Sequence, residues 1–160
     1  MFFWVNKSYS RGRVTLVSSR TEDEPKVEFA MLSDVRDLER LKGAVRFGAA
    51  TLADSQLAAR LGPRFVTSYS PRVASIARPG TWNAMQRGAL SALLDVAGPM
   101  RARLIERVVT QGIGLDALLA DDDALTQFIR QYVGGTWHPS GTCRMGAAHD
   151  SLAVTGADGS

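Results

Sequence analysis

An α+β domain is what this sequence predicts, with strands gathered near the amino terminus and helices after them. Three observations carry that expectation. Aromatic and β-branched residues cluster in "FFWV", "RVTLV" and "KVEF", all before residue 30. Apolar residues then recur at helical spacing. The chain has 160 residues, 45% of them hydrophobic, enough to bury a core without disulfide staples.

Taken in order, "FFWV" and "RVTLV" flank "SYSRG", whose glycine suits a tight connection, so residues 2–17 read as a β-hairpin. "KVEF" alternates again and adds a third strand after the acidic loop around Pro25. At "LSDVRDLERLKGAVRFGAATL" the period changes. Leu38, Leu41, Val45 and Leu52 fall on one face, Ser33 or Asp34 is placed to cap the free amides, and Asp37 sits in the first turn, which predicts a helix over 34–52. "DSQLAARLG" continues that helix or forms a short second one, ended by Gly62 and Pro63. Residues 63–82, with Pro63, Pro71, Pro79 and Gly80, read as short strands or extended loop at "RFVTSYS" and "RVASIA". Helical segments follow over 83–119, broken at Gly98–Pro99 and at "QGIG". "DDDALTQFIRQYVGG" closes the series, its acids at the positive end of the helix dipole and Gly134 at its stop.

The formal charge is +3, but the arginines stand singly among acids, so no basic face for nucleic acid is expected. One cysteine excludes an internal disulfide and gives no sign of an oxidising compartment, which makes a cytoplasmic location the expectation. "MFFWVNKSYS" lacks the basic and small-residue parts of a signal peptide, and no run reaches the roughly 18 apolar residues of a membrane span, so no integral membrane segment is expected. An apolar strand beginning at residue 2 suggests a piece of a longer chain.

The chemistry concentrates in "GTWHPSGTCRMG", residues 135–146. On residue types alone, His138 beside Trp137 in a glycine-bounded turn reads first as a structural hydrogen-bonding histidine. Cys143 and His138, five apart with no second pair, are a very weak zinc signal, and no metal site is expected. Cys143 reads as a small buried apolar residue. Without a G-x-S-x-G turn, Ser140 has no claim to activation.

"WHPSGTCRMG" is similar to the histidine loop, H-x-x-G-T-C-x-M, of the glucose/methanol/choline (GMC) family of flavin-dependent alcohol oxidoreductases. "SRGRVTLVSS" resembles that family's hairpin, and "VEFAMLSDVRDLERLKGAVR" the strand, loop and helix that follow it, so the likeness runs in order from residue 1 to about 156. The resemblance implies the family's C-terminal, substrate-binding domain over 1–160: α+β, a mostly antiparallel β-sheet with helices packed on one face. It implies FAD as cofactor and a small-molecule alcohol as substrate. His138 matches the catalytic residue that takes the hydroxyl proton while hydride leaves for flavin N5, a task suited to a base whose ordinary pKa of about 6.5 lies near working pH. Trp137 and His138 match the residues that lie against the flavin. Arg144 is expected to support the loop by bonding carbonyls, and Met145 to pack.

The departures matter as well. The family opens with strand, G-x-G-x-x-G and helix, and "GIGLDA" (112–117) lacks the third glycine and follows a helix-like run. The family's second catalytic His or Asn comes after the point where "DSLAVTGADGS" stops. The expectation is therefore a domain truncated at both ends, with the FAD-binding Rossmann domain absent and needed as partner, and the isolated chain inactive. Open sheet edges would make such a fragment prone to self-association. The alternative is a non-catalytic remnant or partner-binding domain that keeps the fold.

Overall fold

The structure, a computed structural model, describes residues 1–66, 71–135, 141–156 and 158–159. The chain divides into two compact units, one of Met1–Asn6 with Leu38–Tyr132, the other of Lys7–Asp37 with Val133–Ser160.

The first unit is helical. Helix α1, Val35–Ala53, begins in the second unit and runs for most of its length in the first, followed by α2, Ser55–Ala58, α3, Pro71–Ala77, and α4, Thr81–Val96. A single 3-10 turn at Gly98–Met100 leads into α5, Arg101–Leu104, whose end widens into a π turn at Ile105–Val109. Helices α6, Leu115–Ala120, and α7, Asp122–Tyr132, complete it. Leu38 and Ala49 of α1, Ile105, Leu118, Leu125 and Ile129 make the core, with Leu125 fully buried at 0% exposure. Leu125 and Ile129 are one turn apart, which puts both on the inward face of α7. Lys42 is buried with them, its ammonium donating to Asp122 at 2.6 Å and to Glu39 at 3.0 Å, while Arg46 holds the other oxygen of Asp122 at 2.6 Å. These contacts join α1 to the first turn of α7, where Asp121 accepts the amides of Asp123 and Ala124 as the helix cap. Helix α4 leaves Trp82, Met85, Leu93 and Val96 exposed.

The second unit holds a two-stranded antiparallel ribbon, β1, Arg13–Thr15, and β2, Lys26–Glu28. Val14 pairs with Val27, and on the alternate face Glu28 bridges Arg13 at 3.5 Å and Lys26 at 2.9 Å. Gly12 enters the ribbon where a Cβ would strike the Glu28 carbonyl and the Phe29 backbone, so the glycine of "SRG" is required by this close approach.

Three expectations need correction. The described residues form a helix-rich fold with this single small ribbon, not a mostly antiparallel β-sheet. The first hairpin arm is missing because "FFWV" finds no strand to pair with: Phe2 is 83% and Trp4 66% exposed, and the Phe3 ring lies on Gly48 of α1, in the space a Cβ there would take. "RVTLV" pairs with "KVEF" instead. "RVASIA" is helix α3, not strand or loop, with Pro71 at its first position, where the absent N–H removes no helical bond. In "RFVTSYS", residues 64–66 are irregular and residues 67–70 lie outside the described ones. Among the described residues no helix is long and apolar enough to cross a membrane.

Candidate functional site

Trp137 and His138 lie outside the described residues, as do Thr136, Pro139 and Ser140, so the site is built from what flanks them. Upstream, α7 ends at Tyr132, whose ring meets Phe128 with centroids 4.9 Å apart. Downstream, Gly141 has a φ of 83°, in the left-handed region that glycine adopts without penalty.

From Arg144 the chain makes a closed loop. The Arg144 carbonyl accepts the Val154 amide at 2.9 Å and the Thr155 amide at 3.5 Å, and the Gly146 amide donates back to the Thr155 carbonyl at 3.1 Å. Met145 and Thr155 thereby form a parallel bridge. Turns at Ala147–Asp150 and Asp150–Ala153, each closed by an amide-to-carbonyl bond of 2.8 and 2.9 Å, carry the chain round. The Asp150 carboxylate ties the loop across its waist, accepting from the Arg144 guanidinium through Oδ2 and from the Leu152 amide at 3.0 Å through Oδ1. Gly146 makes room for this, since a Cβ there would lie 2.8 Å from the Ala153 methyl and 3.0 Å from Asp150 Oδ2.

Several expectations for this stretch change. Arg144 supports the loop, but its guanidinium bonds a carboxylate; the carbonyl contacts are made by its own backbone. Cys143 is exposed rather than buried, and Met145 is exposed rather than packed, because the loop folds on its backbone and leaves these side chains outside. Among the described residues no group of three or more His, Cys, Asp or Glu side chains is placed to hold a metal ion.

A second constellation surrounds the "SRG" turn. Asp37 is 2% exposed and accepts the Tyr9 amide at 3.0 Å, the Ser10 amide at 2.7 Å and the Ser10 hydroxyl at 2.7 Å. The Ser10 oxygen in turn accepts the Asp34 amide at 3.2 Å. Burial works against ionisation of Asp37, but the Ser10 amide, the Tyr9 amide and the Ser10 hydroxyl together outweigh it, and its pKa lies below the ordinary carboxylate value. Asp34 caps α1, accepting the Arg36 amide at 2.9 Å, and the Arg36 side chain and amide together hold its carboxyl down to about 2. The Arg36 guanidinium lies 3.7 Å over the Tyr9 ring. Two motifs far apart in sequence, "SRG" and "SDVRD", are thus one hydrogen-bonded unit. Sequence reading gave Asp37 only a dipole role and missed Asp150. The available signals were a carboxylate in line with buried leucines, and an Asp-Ser pair of turn-forming type.

The glycine pair Gly112–Gly114 does not fit the phosphates of FAD. It follows a π turn rather than a strand, the Gly112 amide is already committed to the Glu106 carbonyl at 2.8 Å, and Glu106 Oε1 sits 3.4 Å from where a Gly114 Cβ would lie. A carboxylate at that point repels a diphosphate, and α6 beyond it is a six-residue helix. Gly112–Gly114 therefore offers no cradle for the phosphates of FAD.

Comparison with known proteins bears on the whole of this arrangement. The family described as GMC oxidoreductase matches residues 8–160. The chain is 36% identical to 5-(hydroxymethyl)furfural oxidase of Methylovorus sp. strain MP688 over 152 residues, covering 95% of this chain and 22% of that protein. It is 25% identical to oxygen-dependent choline dehydrogenase of Vibrio vulnificus strain YJ016 and 26% identical to that of Sinorhizobium medicae strain WSM419, each over 93% of this chain and 18% of the relative. The chain thus spans about a fifth of the length of these relatives. On the match over residues 8–160, and not on any one motif, the chain belongs to the GMC oxidoreductase family.

Proposed function

We propose that this chain is the substrate-binding, proton-abstracting portion of an FAD-dependent alcohol oxidoreductase. The observation that carries the reading is the family match running unbroken through the ordered motifs "SRGRV", "SDVRDL" and "HPSGTCRMG". Relatives named as an oxidase of a hydroxymethyl compound and as choline dehydrogenases support an alcohol as substrate.

In this reading His138 is the base. Neutral imidazole accepts the alcohol O–H proton, and the negative charge gathering on oxygen drives hydride off the adjoining carbon. Bound FAD supplies the hydride acceptor. By the family resemblance Trp137 would be the residue that meets the flavin, and a proline directly after His138 limits the backbone there. The residues that hold the FAD phosphates are supplied from outside these 160, so the chain purified by itself retains no flavin and oxidises no alcohol.

The test grafts these residues in place of the corresponding part of 5-(hydroxymethyl)furfural oxidase and follows alcohol oxidation with and without His138→Ala. The expected outcome is a flavin-loaded chimera in which the substitution lowers kcat/KM by about 100- to 10,000-fold while flavin content stays the same. Undiminished turnover in the alanine variant refutes the assignment of His138. Stoichiometric flavin on the isolated chain, bleached by alcohol, refutes its inactivity.

A further inference from the structure

The segment "FFWV" carries the aromatic and β-branched side chains of a strand. Yet among the described residues no hydrogen bond joins the backbone of Phe2–Val5 to the rest of the chain. Exposure alternates along it: Phe2 is 83% and Trp4 66% exposed, while Phe3 falls to 39% and Val5 is half-buried. A period of two is that of an extended chain with one face outward. Phe3 makes the inward contact, its ring lying on Gly48 of α1, and both residues belong to the helical unit. The segment therefore shows solvent two aromatic rings and a row of unpaired amides and carbonyls.

An unpaired edge of this kind is a template for another strand, and its own chemistry selects a second copy. Residues 1–6 contain no Asp, Glu, Lys or Arg, so the segment meets itself without opposing like charges and holds nothing that attracts a charged partner. Symmetry does the rest. Two identical strands paired antiparallel are related by a twofold axis perpendicular to the ribbon, and directly opposite residues point to the same face. Each even-numbered residue thus shares a face with the even-numbered residues of the other copy. Phe2 and Trp4 of both copies gather on the outward face, four rings within cross-strand reach.

The area involved fixes the strength of the pair. With about 150–250 Å² to each aromatic side chain, the exposed parts of four such rings come to on the order of 600 Å². Stable specific interfaces bury about 1,200–2,000 Å² in total. The paired backbone adds to the rings, which places the assembly near or below the lower limit and makes it reversible rather than obligate.

We propose that residues 2–5 are a self-recognition strand: two copies of this chain pair antiparallel through Phe2–Val5, with Phe2 and Trp4 of each forming one aromatic cluster. The role of His138 has no part in this.

Sedimentation velocity of the 160-residue chain, from micromolar to millimolar concentration, is expected to show monomer giving way to dimer. Phe2→Lys and Trp4→Lys set ammonium groups into the shared face and are expected to weaken the dimer by about 30-fold or more. Met85→Lys, on the exposed apolar face of α4, is expected to leave it unchanged. All three side chains are exposed, so an unaltered urea midpoint in dilute solution shows that each variant folds. Amide exchange at Phe2–Val5 is expected to slow as the dimer forms. A chain that stays monomeric throughout overturns the proposal, as does a dimer that survives both lysines in the segment or is abolished by Met85→Lys. A dimer whose Phe2–Val5 amides exchange as fast as the monomer's overturns strand pairing, and open-ended aggregates in its place overturn the twofold arrangement.

Discussion

Replacing Asp37, itself 2% exposed, by alanine removes the acceptor for at least three donors. The Ser10 hydroxyl can rotate toward another partner, but the Tyr9 and Ser10 amides are fixed by the backbone. A hydrogen bond to a charged acceptor contributes about 1.5–3 kcal/mol, so losing the two amide bonds in Asp37→Ala is expected to destabilise the chain by about 3–5 kcal/mol. Asp37→Asn keeps an acceptor oxygen but turns an NH2 toward some of the same donors, and is expected to cost about half as much. With a urea dependence of about 2 kcal/mol per molar, the alanine variant unfolds at a midpoint roughly 1.5–2.5 M lower. Amide exchange at Tyr9 and Ser10 gives a local readout of the same loss. The pH dependence is fixed in sign. The folded pKa of Asp37 is depressed, so its contribution is complete above the unfolded carboxylate value of about 3.9 and disappears as pH falls through the lower folded value. The stability gap between the natural chain and Asp37→Asn is therefore expected to shrink as pH drops below about 4. A cost under about 0.5 kcal/mol, as for an ordinary surface change, or a gap that widens in acid, refutes the reasoning.

Two further predictions concern α1. Asp122→Ala is expected to lower the melting temperature more than Glu39→Ala, because Asp122 bonds both Lys42 and Arg46 and holds the ammonium at 2.6 Å; equal effects count against a buried lysine organised by α7. Gly43 and Gly48 share the helix but not its surroundings: nothing lies near a Cβ at 43, whereas the Phe3 ring fills that space at 48. Gly43→Ala is expected to stabilise by about 0.5–1 kcal/mol through helix propensity, and Gly48→Ala to forfeit that gain by displacing Phe3, with Phe3→Ala in the same chain restoring it. Chemical denaturation of the three variants decides this.

Legibility in the sequence followed the range of the forces involved. Helix α1 and helix α7 stand where period and caps put them, with Asp34 accepting the Arg36 amide in the first turn of one and acids opening the other. "KVEF" became a strand. What was misread depended on partners distant in sequence. "FFWV" has every local mark of a strand, yet Phe3 is drawn to a glycine 45 positions away in α1. "RVASIA" carries β-branched residues, and only its opening proline speaks for helix. In the candidate site the resemblance singled out His138 and Trp137, whereas Asp150 emerged only once the loop closed. Asp37 was seen as a charge at a helix start because its second partner, the turn at Tyr9–Ser10, is 27 residues away.

The division of the chain has a practical reading for anyone cutting it. The polypeptide passes between the two units at residues 6–7, 37–38 and 132–133, so neither unit is a contiguous stretch. A protease acting once at 37–38 leaves each product with part of both, and a single cut at 6–7 or 132–133 still leaves the larger product with parts of both. Excising residues 38–132 also strips away Phe3, the aromatic cover of Gly48. Subcloning the helical unit therefore calls for circular permutation, or for a short linker that carries residues 1–6 along.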